Sequence, residues 1–514
     1  MKKDKFMKNI ISIIFLFMVF FLLSPTLSWA MEAPQENISE AAIKDIPPER
    51  TSAAKSKEIR PEETTVVNED KLPLESTPDA EIAENIESSE ENQTRFQKFK
   101  NYFSGDLRIL TYGIVQKEAK SSQNPDNNFL LLPQYIANVE IRPDLSFETN
   151  FLDLSVKPRA KLDYSVWRDE TPEGKKQGND EWYINEWLAR LKAWNRIFIS
   201  YGRENLQWGP SFLFSPSNPF FSDNGRSNPA MEVPGMDFGR VIFVPNSLFS
   251  ISLIVNTDKG RNTILGLDPF ETTYAAKLDF TGRKNYASLI VSAKDSIEAD
   301  NSKHTDIATG FFGGWTLTDA ILIYGEGSFT KGSRALYPQK DDMSPIGVSM
   351  DKIPEKDNSD IKPVILAGTS YTFENSGTLY LEYLYNAPGY TSEEADFYYL
   401  LRKNAADAFN AGGDVGLLGK GVLVQTANSG LRFLRKNYAM LQYYQGNIKN
   451  RLDVTLRWTQ NIDDGSGQFL TYLSCSLGNH WELFSSGLVN LGKEETEFGS
   501  ILNYQVMLGL KFTL

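Results

Sequence analysis

Charged side chains recur at every second position along two stretches of the chain. Lys157, Arg159, Lys161, Asp163 and Ser165 alternate with Val156, Ala160, Leu162, Tyr164 and Val166, while Arg451, Asp453, Thr455, Arg457 and Thr459 alternate with Leu452, Val454, Leu456 and Trp458. Period-two alternation puts the two sets on opposite faces of a β-strand. Cations gathered on one face focus an attractive potential for anions where the surrounding wall has a low dielectric constant. Acids beside them, Asp163, Glu204 and Asp453, allow a plainer outcome. They can pair with the cations across strands and stiffen the wall, and the sequence leaves both outcomes open.

Little else in the composition does chemistry. The 514 residues include 2 His and 1 Cys, which removes most metal ligands, bases and nucleophiles. Cys475 has no partner for an intramolecular disulfide. His304 lies in the polar run Asn301 to Asp306, which reads as a solvated loop, and His480 follows Gly478-Asn479 without a neighbouring nucleophile. A Ser/His hydrolase on a barrel wall is therefore disfavoured, and no enzyme is expected. There is no Gly-rich phosphate loop and no Cys/His metal spacing, and the basic residues interleave with apolar ones. No cofactor, no metal and no nucleic-acid partner are expected.

The segment Gly202 to Gly239 stands apart. It contains Gly202-Arg203-Glu204, Gln207-Trp208-Gly209-Pro210, Ser215-Pro216-Ser217-Asn218-Pro219, Asn228-Pro229 and Val233-Pro234-Gly235, and Arg240 follows it. Proline removes a backbone donor and blocks a strand ladder, so this must be an irregular loop, and one of this length usually serves a function. A stiff loop folded into a lumen would set pore width; the alternative is an exposed external loop. The Gly-Arg strand end followed by a Trp-Gly turn resembles alginate-export-type porins and Wzi-type capsule-assembly proteins, over about forty residues. That resemblance implies an 18-stranded barrel handling a carbohydrate polymer, with Arg203, Trp208 and Arg240 facing the lumen or the loop packed against it.

The elements that must position these residues are strands. Lys2, Lys3, Lys5 and Lys8, an apolar run from Ile10 to Leu23, and Ser28-Trp29-Ala30 compose a secretory signal peptide. No cysteine lies near the expected cleavage point for lipid attachment, and no other stretch has the roughly 18 apolar residues of a spanning helix. A membrane protein of this kind must be a closed barrel. From Met31 to Thr94 there are 17 acidic and 6 basic residues, a net of −11 within a total of −13. That stretch has no aromatic residue and no period, and it reads as disordered. A solvated periplasmic spacer is favoured over a docking segment, and the low pI says little about the barrel.

Beyond residue 100 amphipathic strands follow one another between Gly, Pro, Asn and Asp turns. About nineteen candidates are visible, Gly430 to Arg435 among them, with Thr318-Asp319 and Lys436-Asn437 as tight hairpins. Long loops are expected at Gly332 to Asp360 and Pro388 to Gly421, the latter with a helix-compatible run from Ser392 to Phe409. Trp182, Trp187, Trp194 and Trp208 could stack on sugars, but interfacial girdle positions are commoner. Tyr504, Val506, Leu508, Leu510, Phe512 and Leu514 form an outward apolar register on the last strand, of the sort read by the barrel-assembly machinery, although Leu514 replaces the usual terminal aromatic residue.

The prediction is an all-β fold. Residues 1–30 are a signal peptide, 31–99 a disordered acidic periplasmic segment, and 100–514 a transmembrane antiparallel up-and-down β-barrel of about 16–18 strands in the outer membrane. The expected pore-lining set is Lys157, Arg159, Lys161, Asp163, Arg203, Glu204, Trp208, Arg240, Arg451, Asp453 and Arg457. The expected function is a porin-like channel for hydrophilic solutes, anions included, or for a polysaccharide chain. The alternative is a non-conducting barrel that binds or organises exported polysaccharide. Expected partners are outer-membrane lipid, the barrel-assembly machinery and the solute or polysaccharide; the oligomeric state is not legible.

Overall fold

The computed structural model describes residues 102–167, 176–194, 196–221, 232–261, 270–297, 303–341, 344, 347–353 and 359–514. The expected signal peptide and acidic segment lie outside the described residues. Twenty strands follow in chain order. They begin with β1 (Phe103–Glu118), β2 (Tyr135–Glu148), β3 (Leu152–Val166), β4 (Lys176–Ala193), β5 (Ile197–Glu204), β6 (Met236–Phe243) and β7 (Phe249–Asp258). The chain continues through β8 (Thr273–Thr281), β9 (Asn285–Ile297), β10 (Lys303–Thr318), β11 (Ile321–Lys331), β12 (Leu336–Lys340), β13 (Val348–Lys352), β14 (Ile361–Thr372) and β15 (Thr378–Asn386). Two helices, α1 (Ser392–Ala411) and α2 (Gly413–Ala427), precede β16 (Asn437–Ile448), β17 (Leu452–Asn461), β18 (Gly467–Ser476), β19 (Trp481–Leu491) and β20 (Leu502–Thr513).

Eighteen strands form one antiparallel sheet in which each pairs with its neighbours in sequence; β12 and β13 make a separate hairpin within a loop. The sheet closes on itself where β20 pairs with β1, from Arg108↔Thr513 to Gln116↔Gln505 and on to Leu502. Closure leaves no open edge. The even count and the common side of both sheet ends follow from it.

Alternation sets the two faces. On β2, Tyr135, Val139 and Ile141 are exposed outward, whereas Asn138, Glu140 and Arg142 are buried inward. Outer faces elsewhere carry Leu162, Leu253, Leu289, Leu381 and Leu441, all exposed, as lipid-facing positions must be. Aromatic residues crowd both ends of this band. Phe151, Trp194, Phe249, Trp315, Phe373 and Trp481 lie toward the short turns, and Tyr135, Tyr164, Trp182, Tyr274, Phe329 and Tyr385 toward the long loops. Trp194 and Trp182, 85% and 79% exposed, thus hold girdle positions. Among the described residues no helix is long and apolar enough to cross a membrane.

Two expectations are corrected. Residues 430–435 are not a strand: Gly430 adopts φ +81°, Phe433 is buried against Phe214 and Tyr438, and the Leu434 amide donates to Glu497. The alternation there reflects a loop with apolar contacts inward. Lys436-Asn437 is likewise no hairpin, since both amides donate to the Asp463 carboxylate at the start of β16. The helix beginning at Ser392 is present, opened by a capping box between Thr391 and Glu394.

Outer-face Leu381→Arg, near the middle of β15, is expected to destabilise the barrel by about 2–4 kcal/mol. Inner-face Thr455→Arg should cost about 1 kcal/mol or less, as read from denaturant unfolding in bilayers.

Candidate functional site

The β5–β6 connection enters the barrel instead of extending from it. Two carboxylates on the far wall hold it. Glu326 of β11 accepts from the hydroxyls of Ser211 and Ser215 at 2.6 Å each, from the hydroxyl of Ser217 at 2.7 Å and from its amide at 3.3 Å. Glu382 of β15 accepts from the amides of Phe212 and Leu213, at 2.7 and 2.8 Å, and from the Tyr324 hydroxyl at 2.8 Å. Both are among the most deeply buried side chains, at 0% and 1% exposure. Going round the sheet from β5 to β15 passes seven intervening strands one way and nine the other, so the loop tip reaches nearly the opposite wall.

Local sequence explains why the tip fits. Gly209 has φ +86°, and a Cβ there would stand 2.3 Å from the Glu326 carboxylate; this is what the Trp-Gly turn requires. On β10, a Cβ at Gly310 would stand 2.8 Å from the Ser217 carbonyl oxygen, so the wall admits the loop only because Gly310 is bare. The outgoing limb buries Leu206 and Phe221 against Phe238, Ile254, Ile290 and Phe312 on the inner wall of β6–β10. Trp208 packs edge-on against Phe220, with the Lys277 ammonium 5.4 Å from its ring centre. At the tip, Leu213 and Phe214 join Tyr324, Leu366, Leu384, Phe433 and Tyr438.

The returning limb is fixed by charge. Glu232 accepts from Arg159 of β3 at 2.6 and 2.9 Å, and Arg142 of β2 lies 3.9 Å from it. Arg142 also donates to Glu140 at 2.7 Å. Arg159, 2% exposed, has a second task. The β2–β3 register passes from Ile141↔Ala160 to Leu145↔Val156 across Pro143 and Pro158, which have no amide hydrogen to give. Arg159 Nη1 donates to the carbonyls of both prolines at 2.8 Å and Nη2 to Asp144 at 2.8 Å. One guanidinium therefore repairs the wall and pins the loop.

The predicted residues separate into three groups. Lys157, Arg159, Lys161 and Asp163 share the inner face of β3, where Lys157 pairs with Glu186 at 2.9 Å and Lys161 with Asp163 at 3.0 Å. Arg240 pairs with Glu204 at 2.9 Å on β5–β6, and Arg457 of β17 donates to Gln442 at 2.7 Å. Arg203 shares its strand face with exposed Ile199 and Tyr201, pairs with Trp187 and bonds Asp237 at 2.6 Å; it lies on the outer face at the strand end, not the lumen. Arg451 is an exposed residue of the β16–β17 turn, and Asp453 accepts the Asn447 amide beside that turn. Parity on β5 sets Arg203 with outward Ile199 and Tyr201, so its expected place in the lumen is corrected; Asp453 keeps the inner face opposite Ser474, and Arg451 lies beyond the pleat, in the turn.

Glu326, Glu382, Glu232 and the three serines escaped the sequence reading. A lone acid between two glycines, Gly325-Glu326-Gly327, was a signal of a kind, because a carboxylate on an inner face with no cation in register needs other donors. Above the lumen on the long-loop side, α1 packs against the β12–β13 hairpin, Phe129 of the β1–β2 connection sits against the helices, and Arg402 donates to the Gln123 carbonyl at 2.7 Å.

A closed antiparallel barrel of eighteen strands, apolar outside, polar inside and crossed by an inward-folded loop, is a transmembrane barrel of the outer-membrane, porin-like class. No protein-family model and no curated protein matches the chain. Solved structures are similar in fold. OccK7 (OpdD) of Pseudomonas aeruginosa is 10% identical, covering 80% of this chain and 98% of its own, with a TM-score of 0.47. A double mutant of the Rhodopseudomonas blastica porin is 11% identical over 80% of this chain and 100% of its own, at 0.37. Wzi of Escherichia coli, described as an outer-membrane protein involved in group 1 capsule assembly and a carbohydrate-binding β-barrel, is 10% identical over 79% and 84%, at 0.42.

Glu326→Ala or Glu382→Ala orphans several buried donors at about 1–3 kcal/mol each, so amide exchange in residues 205–221 should accelerate by at least about tenfold, with the barrel strands unchanged. Burial alone would raise the Glu232 carboxyl, but the hydrogen bond from Arg159 and the charges of Arg142 and Arg159 outweigh it and hold the group below its ordinary range. Its contribution is then full above the free-carboxylate value and lost as pH falls through the depressed one. Exchange at residues 232–235 is expected to be flat from about pH 8 to 5 and to rise only below about pH 4.

Proposed function

We propose that the protein is an outer-membrane channel for small hydrophilic solutes, narrowed by the β5–β6 loop. The supporting observation is the crossing itself, anchored by Glu326 and Glu382 on one wall and by Arg159 on the other. Beside the returning limb, Lys157, Glu186, Lys161 and Arg190 keep roughly a quarter to a third of their side-chain surface exposed and form a charged, wettable flank. Because most of the cations there stand next to an acid, the field along that flank is short-ranged, and selectivity for anions over cations should be modest. In this reading residues 1–30 direct export, the acidic segment and the short turns face the periplasm, and the long loops face outward.

The roof of α1, α2 and the β12–β13 hairpin favours a second reading, a non-conducting barrel that holds polysaccharide at the cell surface. Single-channel recording in planar bilayers separates the two. The channel reading expects small, steady conductance that increases severalfold in a Glu326→Ala/Glu382→Ala variant. Silence from the folded barrel, in wild type and in the anchor variant alike, would transfer the function to polysaccharide binding.

A further inference from the structure

The short-turn end of the barrel carries five exposed cations, Arg196, Arg283, Lys284, Lys449 and Arg451, none of which makes an ion pair among the described residues. This differs from the lumen, where Lys157, Arg159, Lys161 and Arg240 all have carboxylates within 3.0 Å. They occupy the β4–β5, β8–β9 and β16–β17 turns, three places around the opening. The exposed acids Asp319 and Glu374 sit on the β10–β11 and β14–β15 turns and Glu148 at the end of β2, while residues 149–151, 244–248 and 477–480 of the remaining turns carry no Asp, Glu, Lys or Arg.

The chain enters β1 from this same side, because Phe103 pairs with Phe147 just before the β2–β3 turn. Upstream of a short basic stretch, Arg95, Lys98 and Lys100, the sequence is strongly anionic: Pro61 to Thr94 holds eleven acidic side chains against the single Lys71, a net of −10. We propose that this acidic segment binds the basic turns of its own barrel. By random-coil scaling, 34 residues have an end-to-end distance of roughly 30 Å, and so can meet turns well away from β1. Tethering also raises its local concentration to the millimolar range without any specific fold. Phosphate headgroups of lipid offer the same complementary charge from another source.

Zero-length coupling of carboxylates to amines on the full chain, followed by peptide mapping, tests this. The barrel is held first in zwitterionic nanodiscs and then in nanodiscs containing phosphatidylglycerol. Links from acids between Glu62 and Glu91 to Lys284 and Lys449 are expected in both, with few to Lys420 on α2 at the opposite end. They should vanish in about 1 M salt, where the Debye length is about 3 Å. They should also drop about tenfold in an Arg196→Gln/Arg283→Gln/Arg451→Gln variant, which keeps both lysines. Absence of these links at low salt, or equal coupling to Lys420, overturns the proposal. Links that disappear only in phosphatidylglycerol overturn it too, and assign the turns to lipid.

Discussion

Within hydrocarbon every backbone donor and acceptor must be satisfied by the chain itself, and the pairing of β20 with β1 is where that demand is met. Until it forms, both strands offer an unpaired edge to lipid. Once it forms, the outer face needs only apolar side chains, and every second residue is released to face inward. The inner residues then meet a different requirement, since their charges are shielded from lipid but not fully hydrated, and nearly every cation is found beside an acid. The polar lumen and the apolar belt are two consequences of a single closed ladder.

The crossing loop shows how a barrel carries irregular chain at membrane depth. Its backbone is not in lipid but in protein, where Glu382 takes two amides and Glu326 takes three serine hydroxyls and an amide. Among the described residues neither carboxylate has a cation in salt-bridge contact. Neutral donors in a dry site suffice when there are enough of them, and such a group is costly to leave half-satisfied. The opposite wall uses the other solution, an arginine cluster around Glu232. Between these anchors the loop has fixed ends on both sides of the lumen.

Much of the barrel was legible because its period is two and its outer face repeats. Val156 to Val166 and Arg451 to Thr459 showed both faces in the bare sequence, and the strand total fell within the expected range. Residues 430–435 failed for an instructive reason: alternation records only that apolar side chains go one way, and a loop folded inward satisfies that as well as a strand does. At the site, the prolines announced an irregular loop, but its destination depended on Glu326 and Glu382, more than a hundred residues away. Such pairings carry no local period. Arg203 was misplaced because the Gly-Arg motif was weighed above its parity with Ile199 and Tyr201, and Arg451 because parity holds only while the pleat continues.

The separation of these anchors also orders events during biogenesis. The loop follows β5, yet its tip is received by β11 and β15, so it has no seat until most of the later strands have been laid down. For that interval the serine-rich tip must wait in water, inside or beside an incomplete cylinder, and it can lodge only when the wall arrives around it. Because α1 and α2 cover the same lumen on the long-loop side, a chain in which they settled before the loop lodged would shut that loop out.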